Sequence, residues 1–277
     1  VQDIRAHQEP IWAAKFSPCG NYLATGGKDG VLKIWKISEP ALDPVADESG
    51  LNAPTLGSVF WKSIVEIDIS QGAFQKQKEE CFSKFYNLID NTPLRQYWEH
   101  EYDIVDLSWQ INKDDSGAIL KSFFGNMQLG LEGYFVAIEK EAPEKIYDLK
   151  NAPTCIQFHP ELENTFVTGS LDQTIGVGAL TKQRLASKDQ TYEYITALAY
   201  QPNGKRLIVG LSTGTCNVYQ CDNLGRLNWT TKIDCKNRRG KFALGRKVSG
   251  ITFFNNKEVL ITTNDSRVRL FNLDECL

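Results

Sequence analysis

The side chains that could carry out chemistry in this sequence are few and scattered. There are seven cysteines and three histidines, and no two cysteines are spaced as Cys-x-x-Cys. A zinc site needs four such ligands at recurring close spacing, so the pattern predicts no metal site. An odd number of unclustered cysteines is typical of reduced thiols in the cytosol rather than of a disulfide framework.

Sequence patterns for nucleophilic and acid–base catalysis are also scarce. The sequence contains no phosphate-binding Gly-x-x-x-x-Gly-Lys loop. The paired carboxylates Asp114 and Asp115 fall in a polar stretch that ends in glycine, a pattern that favours a solvated turn. We therefore predict a protein that is not an enzyme and that needs no cofactor.

Charge and hydropathy narrow the range of partners. The chain has 31 basic and 34 acidic residues, a net charge of −3, so it lacks the overall positive field that holds nucleic acid. No apolar run approaches the roughly 20 residues of a membrane-spanning helix, and no secretion signal opens the chain. We expect a soluble, cytoplasmic protein, and the first residue, Val1, predicts a fragment or a processed chain.

The elements that position these residues follow a repeating pattern. Residues 11–37 contain three short alternating apolar runs, separated by the turns Ser17–Gly20 and Lys28–Gly30. Similar combinations of strand and turn return downstream, so the pattern predicts five blade-like units with an insertion at about 38–95. The units lie near 7–37, 97–140, 146–181, 192–221 and 246–273.

This pattern predicts an all-β fold, a single β-propeller domain of four-stranded antiparallel blades over residues 1–277, incomplete or irregular in this chain. Five units do not readily close a ring. We expect either further repeats beyond Leu277 or cryptic blades, because an open propeller would expose a large apolar face.

The first unit resembles a WD40 repeat. In that family a histidine, a hydroxyl residue, an aspartate and a tryptophan form a hydrogen-bonded clamp within each blade. The resemblance assigns this structural clamp to four residues, His7, Thr25, Asp29 and Trp35.

The later units depart from the clamp pattern. The tryptophan position is Gly178 in the third unit, Tyr219 in the fourth and Phe271 in the fifth, and the aspartate of the fourth unit is replaced by Thr213. We therefore expect weaker or absent clamps in these units.

A closer resemblance covers roughly residues 1–37 and 95–277. Residues 95–109, the Gly-Ser-Leu-Asp turn at 169–172, the basic stretch 238–251 and the Asn-Asp-Ser-Arg turn at 264–267 are similar to those of the Rab-GTPase-binding, rabphilin-like WD-repeat proteins and their fungal relatives. The resemblance implies a scaffold for protein partners, with a small GTPase among them. It also implies a link to vesicle traffic and a peripheral position on endosomal or other internal membranes.

The insertion does not follow the repeat. Residues 58–61 and 64–69 predict strands, and residues 76–89 predict a helix with one apolar stripe. Two interpretations of this helix remain open, packing against the flank of the propeller or docking a partner.

The strongest surface feature is a basic loop between the fourth and fifth units. Residues 232–247 carry seven positive charges against one aspartate, in a chain that is acidic overall. The candidates for binding a partner or an anion are Lys236, Arg238, Arg239, Lys241, Arg246 and Lys247. Arginine and lysine side chains suit an acidic peptide, an acidic GTPase surface or an anionic membrane.

Phosphoinositide binding is the alternative function. Asn237-Arg238-Arg239-Gly240 is similar to the Phe/Leu-Arg-Arg-Gly motif of lipid-binding propellers, with Asn237 in place of the apolar residue.

Overall fold

A computed structural model describes most of the repeat units and little of the insertion. The described residues are 3–37, 89–98, 103–110, 122–123, 132–136, 145–148, 153–179, 185–237 and 245–276.

Five antiparallel sheets follow one another along the described chain, as blades of a β-propeller, and the predicted fold class is confirmed. Blade 1 contains β1 (Ile11–Phe16), β2 (Tyr22–Gly27), β3 (Leu32–Lys36) and β4 (Arg95–Tyr97). Blade 2 contains β5 (Ser122–Phe123), β6 (Glu132–Val136) and β7 (Lys145–Asp148). Blade 3 contains β8 (Pro153–Phe158), β9 (Thr165–Ser170), β10 (Thr174–Ala179) and β11 (Leu185–Gln190). Blade 4 contains β12 (Ile195–Tyr200), β13 (Arg206–Leu211), β14 (Thr215–Cys221) and β15 (Leu227–Asp234). Blade 5 contains β16 (Val248–Phe253), β17 (Glu258–Thr263) and β18 (Arg267–Asn272), followed by the short helix α1 (Leu273–Cys276).

The outer strands form where apolar and polar residues alternate, the buried strands β9 and β13 form in largely apolar runs, and the strands end where the sequence supplies turn residues. In each blade the strands pair in chain order, and short turns join β1 to β2 and β2 to β3 as hairpins, whereas a long connection separates β3 from β4. Gly30 and Gly214 close two of these hairpins with φ angles of 66° and 81°, which only glycine adopts without strain.

The insertion interrupts blade 1 instead of separating the first two blades as the sequence predicted. β4 pairs with β3 in the register Leu32 to Tyr97, so the chain leaves blade 1 after β3 and returns to it. Ile89, predicted as the end of a helix, forms a β-bridge with Ile37. The predicted strands at 58–61 and 64–69 and the rest of the predicted helix lie outside the described residues.

A recurring contact joins successive blades. Ile104 packs against Gly26, Ile195 against Gly169 and Val248 against Gly210, and a Cβ on any of these glycines would collide with its partner. Each β-branched residue is 0% exposed. Because glycine has no side chain, the neighbouring blade can pack closely at each of these positions.

A hydroxyl group accompanies two of these contacts. Thr154 donates to the carbonyl of Ile195 over 2.9 Å, and Thr196 donates to that of Val248 over 2.7 Å. Apolar packing and a hydrogen bond thus fix how blade 3 meets blade 4 and how blade 4 meets blade 5.

Blade 5 lacks this glycine. By strand register, Thr262 occupies the position of Gly26, Gly169 and Gly210. Its hydroxyl accepts a hydrogen bond from Ser249, which stands at the position of Thr154 and Thr196. The face of blade 5 that carries Thr262 leaves Val268 and Leu270 exposed by 66% and 60%.

Candidate functional site

The four residues of the predicted clamp come together in blade 1. The Nδ1 of His7 lies 2.9 Å from a carboxylate oxygen of Asp29, and its Nε2 lies 2.8 Å from the hydroxyl of Thr25. The indole nitrogen of Trp35 donates to the same hydroxyl over 2.9 Å. The His7 side chain is 0% exposed, so this chain of bonds supports the blade and is not accessible to a ligand.

Blades 4 and 5 hold their turns with different residues. In blade 4 the carboxylate of Glu193 accepts hydrogen bonds from Thr213 and Thr215. In blade 5 the carboxylate of Asp265 lies 3.0 Å from the guanidinium of Arg269. Hydrogen bonds from Arg269 and Thr263 lower the pKa of Asp265. These blades therefore replace the predicted clamp with other polar networks.

The structure describes three of the six candidates from the basic loop. Arg238, Arg239 and Lys241 lie outside the described residues. Lys236, Arg246 and Lys247 stand at the two ends of the loop.

Close packing brings the two ends of the loop together. The side-chain carbons of Lys236 lie over Gly245, and Gly245 and Arg246 pack against the turn formed by Thr213 and Gly214. The two ends of the loop therefore lie beside the same turn of blade 4.

Two exposed tyrosines that the sequence analysis missed lie beside this turn. Tyr192 is 97% exposed and Tyr194 is 53% exposed, in the loop between β11 and β12. A tyrosine offers a large contact area at a small cost in conformational entropy, and tyrosines are enriched where proteins bind one another. One signal in the sequence could have revealed them. Tyr192-Glu193-Tyr194 places an acidic residue between two aromatic residues and interrupts the apolar alternation directly before β12.

The backbone of this tyrosine loop is firmly held. Thr191 donates from its amide and from its hydroxyl to the carbonyl of Gln173, over 2.7 and 2.9 Å. The amide of Ser212 donates to the carbonyl of Tyr194 over 2.9 Å. The exposed tyrosine rings therefore project from a fixed base.

The tyrosines and the lysines occupy one end of adjacent blades. Tyr194 directly precedes Ile195, and Lys247 directly precedes Val248, the two residues that pack against glycines of the preceding blades. Glu193 links the two groups, since it accepts a hydrogen bond from Thr213 and lies 4.0 Å from Lys232. We call this region the tyrosine–lysine surface, made of Leu171, Tyr192, Tyr194, Lys232, Lys236 and Lys247.

The described residues also bear on three other kinds of site: a metal site, a thiol nucleophile and a membrane-spanning helix. Across the described ranges, no group of three or more histidine, cysteine, aspartate or glutamate residues is placed to hold a metal ion. Burial raises the pKa of the Cys155 thiol to about 12, so this thiol is a poor nucleophile. The helix that the structure describes is too short to cross a membrane.

Comparison with known proteins supports a WD40 repeat domain. Residues 1–36 match the family described as WD domain, G-beta repeat. This stretch contains the whole clamp of blade 1, His7, Thr25, Asp29 and Trp35.

Similarity to curated relatives extends along almost the whole chain. WD repeat-containing protein 44 of Xenopus laevis is 26% identical over 99% of this chain and 30% of its own length. An uncharacterised WD repeat-containing protein of Schizosaccharomyces pombe is 22% identical over 96% of this chain and 40% of its own length. The 2-deoxy-glucose resistant protein 2 of Saccharomyces cerevisiae is 22% identical over 99% of this chain and 35% of its own length. The chain thus spans less than half of each of these relatives.

Proposed function

We propose that this WD-repeat protein is a scaffold that binds a protein partner through the tyrosine–lysine surface. The observation that carries the proposal is Tyr192, which is 97% exposed on a backbone fixed by its neighbours. Truncating such an aromatic anchor commonly costs a binding site more than 1 kcal/mol, whereas the surrounding contacts cost little.

A Rab GTPase or another component of vesicle traffic is the partner that we propose. The support is the resemblance of residues 1–37 and 95–277 to the rabphilin-like WD-repeat proteins. The charge of the surface is compatible, because an acidic GTPase face would meet Lys236 and Lys247. A cytoplasmic protein recruited to endosomal or other internal membranes follows from the same resemblance.

Binding to purified Rab GTPases tests this proposal. Biolayer interferometry with a panel of GTPases, each loaded with a GTP analogue or with GDP, should reveal a partner for the GTP form. The Tyr192→Ala/Tyr194→Ala variant should weaken this binding about tenfold. Phe254→Ala is the control, because Phe254 is 76% exposed and follows the opposite end of its inner strand.

Two outcomes would contradict the proposal in different ways. If no GTPase binds, the assignment to Rab proteins is wrong. If a GTPase binds the double variant as tightly as the unaltered chain, the contact lies elsewhere on the propeller.

Phosphoinositide binding is the second proposal, supported by the Arg238-Arg239-Gly240 sequence. Sedimentation with liposomes tests it. Salt-sensitive binding that is specific for one phosphoinositide and is abolished by Arg238→Ala/Arg239→Ala would favour a lipid reader over a protein scaffold.

A further inference from the structure

We infer that the tyrosine–lysine surface recognises an acidic linear segment in which an aromatic or other large apolar residue is flanked by carboxylates. This inference rests on the proposed function, since it specifies the chemistry of the segment that the scaffold binds. Three features of the surface support it: two lysines, Lys236 and Lys247, with no carboxylate partner among the described residues, acidic groups occupied within their own blades, and tyrosines on a rigid loop.

Two lysines of the surface have no carboxylate partner among the described residues. Within the described ranges, no carboxylate lies within 4.0 Å of the ammonium group of Lys236 or Lys247. Lys232 reaches a carboxylate oxygen of Glu193 only at 4.0 Å, and its side chain is 46% exposed. Positive charge is therefore available to a ligand at both ends of the basic loop.

The nearby acidic groups are already engaged by donors of their own blades. Glu193 accepts from Thr213 and Thr215, and Asp265 accepts from Arg269. Asp234 accepts the backbone amide of Lys236 over 2.9 Å. These carboxylates therefore stabilise turns and leave the lysine side chains free to attract an acidic ligand.

The tyrosines add an apolar and π-electron contact that a purely electrostatic site lacks. Tyr192 and Tyr194 flank Glu193, and Leu171, 40% exposed, lies on the neighbouring turn whose Gln173 carbonyl holds Thr191. An aromatic side chain of the ligand can pack against this group while the adjacent carboxylates meet the lysines. Because the loop is already fixed, binding orders little of the protein.

The surface favours a linear peptide over a phosphoinositide membrane because two exposed tyrosines lie at the same end of the blades as its lysines and the neighbouring Arg246. A lipid headgroup would rely on the arginine pair at 238–239, whereas an acidic peptide also needs the tyrosines. A requirement for Tyr192 and Tyr194 together with the lysines therefore separates the two ligands.

Fluorescence anisotropy with defined peptides tests the inference. The probe is a fluorescein-labelled 12-residue peptide of glutamate, glycine and serine with one central tryptophan. Two matched probes replace every glutamate by glutamine or the tryptophan by serine. We expect binding of the first probe that weakens as salt is raised, and about tenfold weaker binding of each matched probe.

Charge-reversal and truncation variants assign the binding to the surface. Lys236→Glu/Lys247→Glu and Tyr192→Ala/Tyr194→Ala should each weaken binding of the acidic tryptophan probe about tenfold. The controls Lys205→Glu and Phe254→Ala, both exposed and on the opposite end of their blades, should bind unchanged. Circular dichroism checks that every variant remains folded.

The outcomes distinguish this inference from the proposed function. Equal binding of the glutamate and glutamine probes, or unchanged binding by the lysine variant, would overturn the acidic-segment inference. If the probes fail and a Rab GTPase still binds through Tyr192 and Tyr194, the scaffold proposal stands and the ligand chemistry is wrong. If only phosphoinositide liposomes bind, both the peptide and the protein-partner assignments fail.

Discussion

The ring of Phe166 covers Gly178 on the neighbouring strand of blade 3. The two residues are paired in the register of β9 and β10, and a Cβ on Gly178 would collide with the ring. The corresponding pairs are Leu23 with Trp35 in blade 1 and Leu207 with Tyr219 in blade 4. Blade 3 therefore keeps its large aromatic side chain but carries it on the other strand of the pair.

Exchanging the partners should reveal this compensation. Gly178→Trp alone should lower the free energy of unfolding by about 1 to 3 kcal/mol, because Phe166 already fills the space. Adding Phe166→Leu should recover part of that loss, since it restores the arrangement of blade 1. Urea denaturation of the two single variants and the double variant measures the coupling. Additive losses would show that the two side chains do not share one space.

Much of the fold was predictable from the sequence because alternation and turn residues are local signals. The clamp residues His7 and Asp29 stand in blade 1 where the family pattern puts them. The compensation at Gly178 was not predictable. A glycine at the position where other blades have an aromatic residue gives no indication of which other side chain fills the space. The return of the chain to blade 1 at Arg95–Tyr97 was missed because a three-residue strand carries almost no periodicity.

The candidate site was predicted in part for a related physical reason. A cluster of like charges can be recognised from the sequence alone, so Lys236 and Lys247 could be predicted as binding residues. The exposure of Tyr192 depends on how a loop is held by residues of two blades, so only the folded chain reveals it.

The contact between blades 3 and 4 should contribute strongly to the free energy of unfolding. Ile195→Ala should cost about 2 to 5 kcal/mol, because it leaves a cavity against Gly169, whereas Ile195→Val should cost about 1 kcal/mol. Leu224→Ala is the control, since Leu224 is 74% exposed and should change stability by less than about 0.5 kcal/mol. Chemical denaturation compares the three, and equal midpoints would contradict the packing role of Ile195.

The hydroxyl of Thr25 should be essential to the clamp of blade 1. Thr25→Val leaves the indole N–H of Trp35 and the Nε2 of His7 buried without their partner, so we expect a loss of about 2 to 4 kcal/mol. Thr230→Val replaces an exposed hydroxyl and serves as the matched control. Thermal unfolding followed by circular dichroism measures both, and similar melting temperatures would argue against a structural clamp.

Stability should fall as the pH drops below about 6.5 because of His159. Its Nδ1 accepts the backbone amides of Glu161 and Leu162, over 3.1 and 2.9 Å, so the uncharged ring donates from Nε2 to the carbonyl of Gly204. Burial lowers the pKa of His159, so the unfolded chain takes up a proton that the folded chain excludes.

The variant His159→Asn separates this effect from other titrations. Asparagine keeps an acceptor near Nδ1 but does not titrate, so its urea midpoint should change less than that of the unaltered chain between pH 8 and pH 5.5. The same pH dependence in both proteins would assign the effect to another group.

Thiol reactivity should identify Cys19 as the accessible cysteine of the described part. Burial raises the pKa of Cys155 to about 12 and that of Cys221 to about 11, whereas Cys19 is exposed. With Cys81 and Cys276 replaced by serine, Ellman's reagent at pH 8 should react with one thiol in the folded protein and five in denaturant. A further Cys19→Ser change should remove the fast reaction, and its persistence would show that a buried thiol becomes accessible.

Thr262 distinguishes blade 5 from blades 1, 3 and 4. Blades 1, 3 and 4 each accept a β-branched side chain from the following unit at a glycine, and Ile11 of blade 1, 45% exposed, is a residue of that kind. A circularly permuted chain that joined blade 5 directly ahead of blade 1 would place Ile11 against a threonine side chain and its hydroxyl. The threonine therefore keeps blade 5 from receiving a following blade in the way that blades 1, 3 and 4 do.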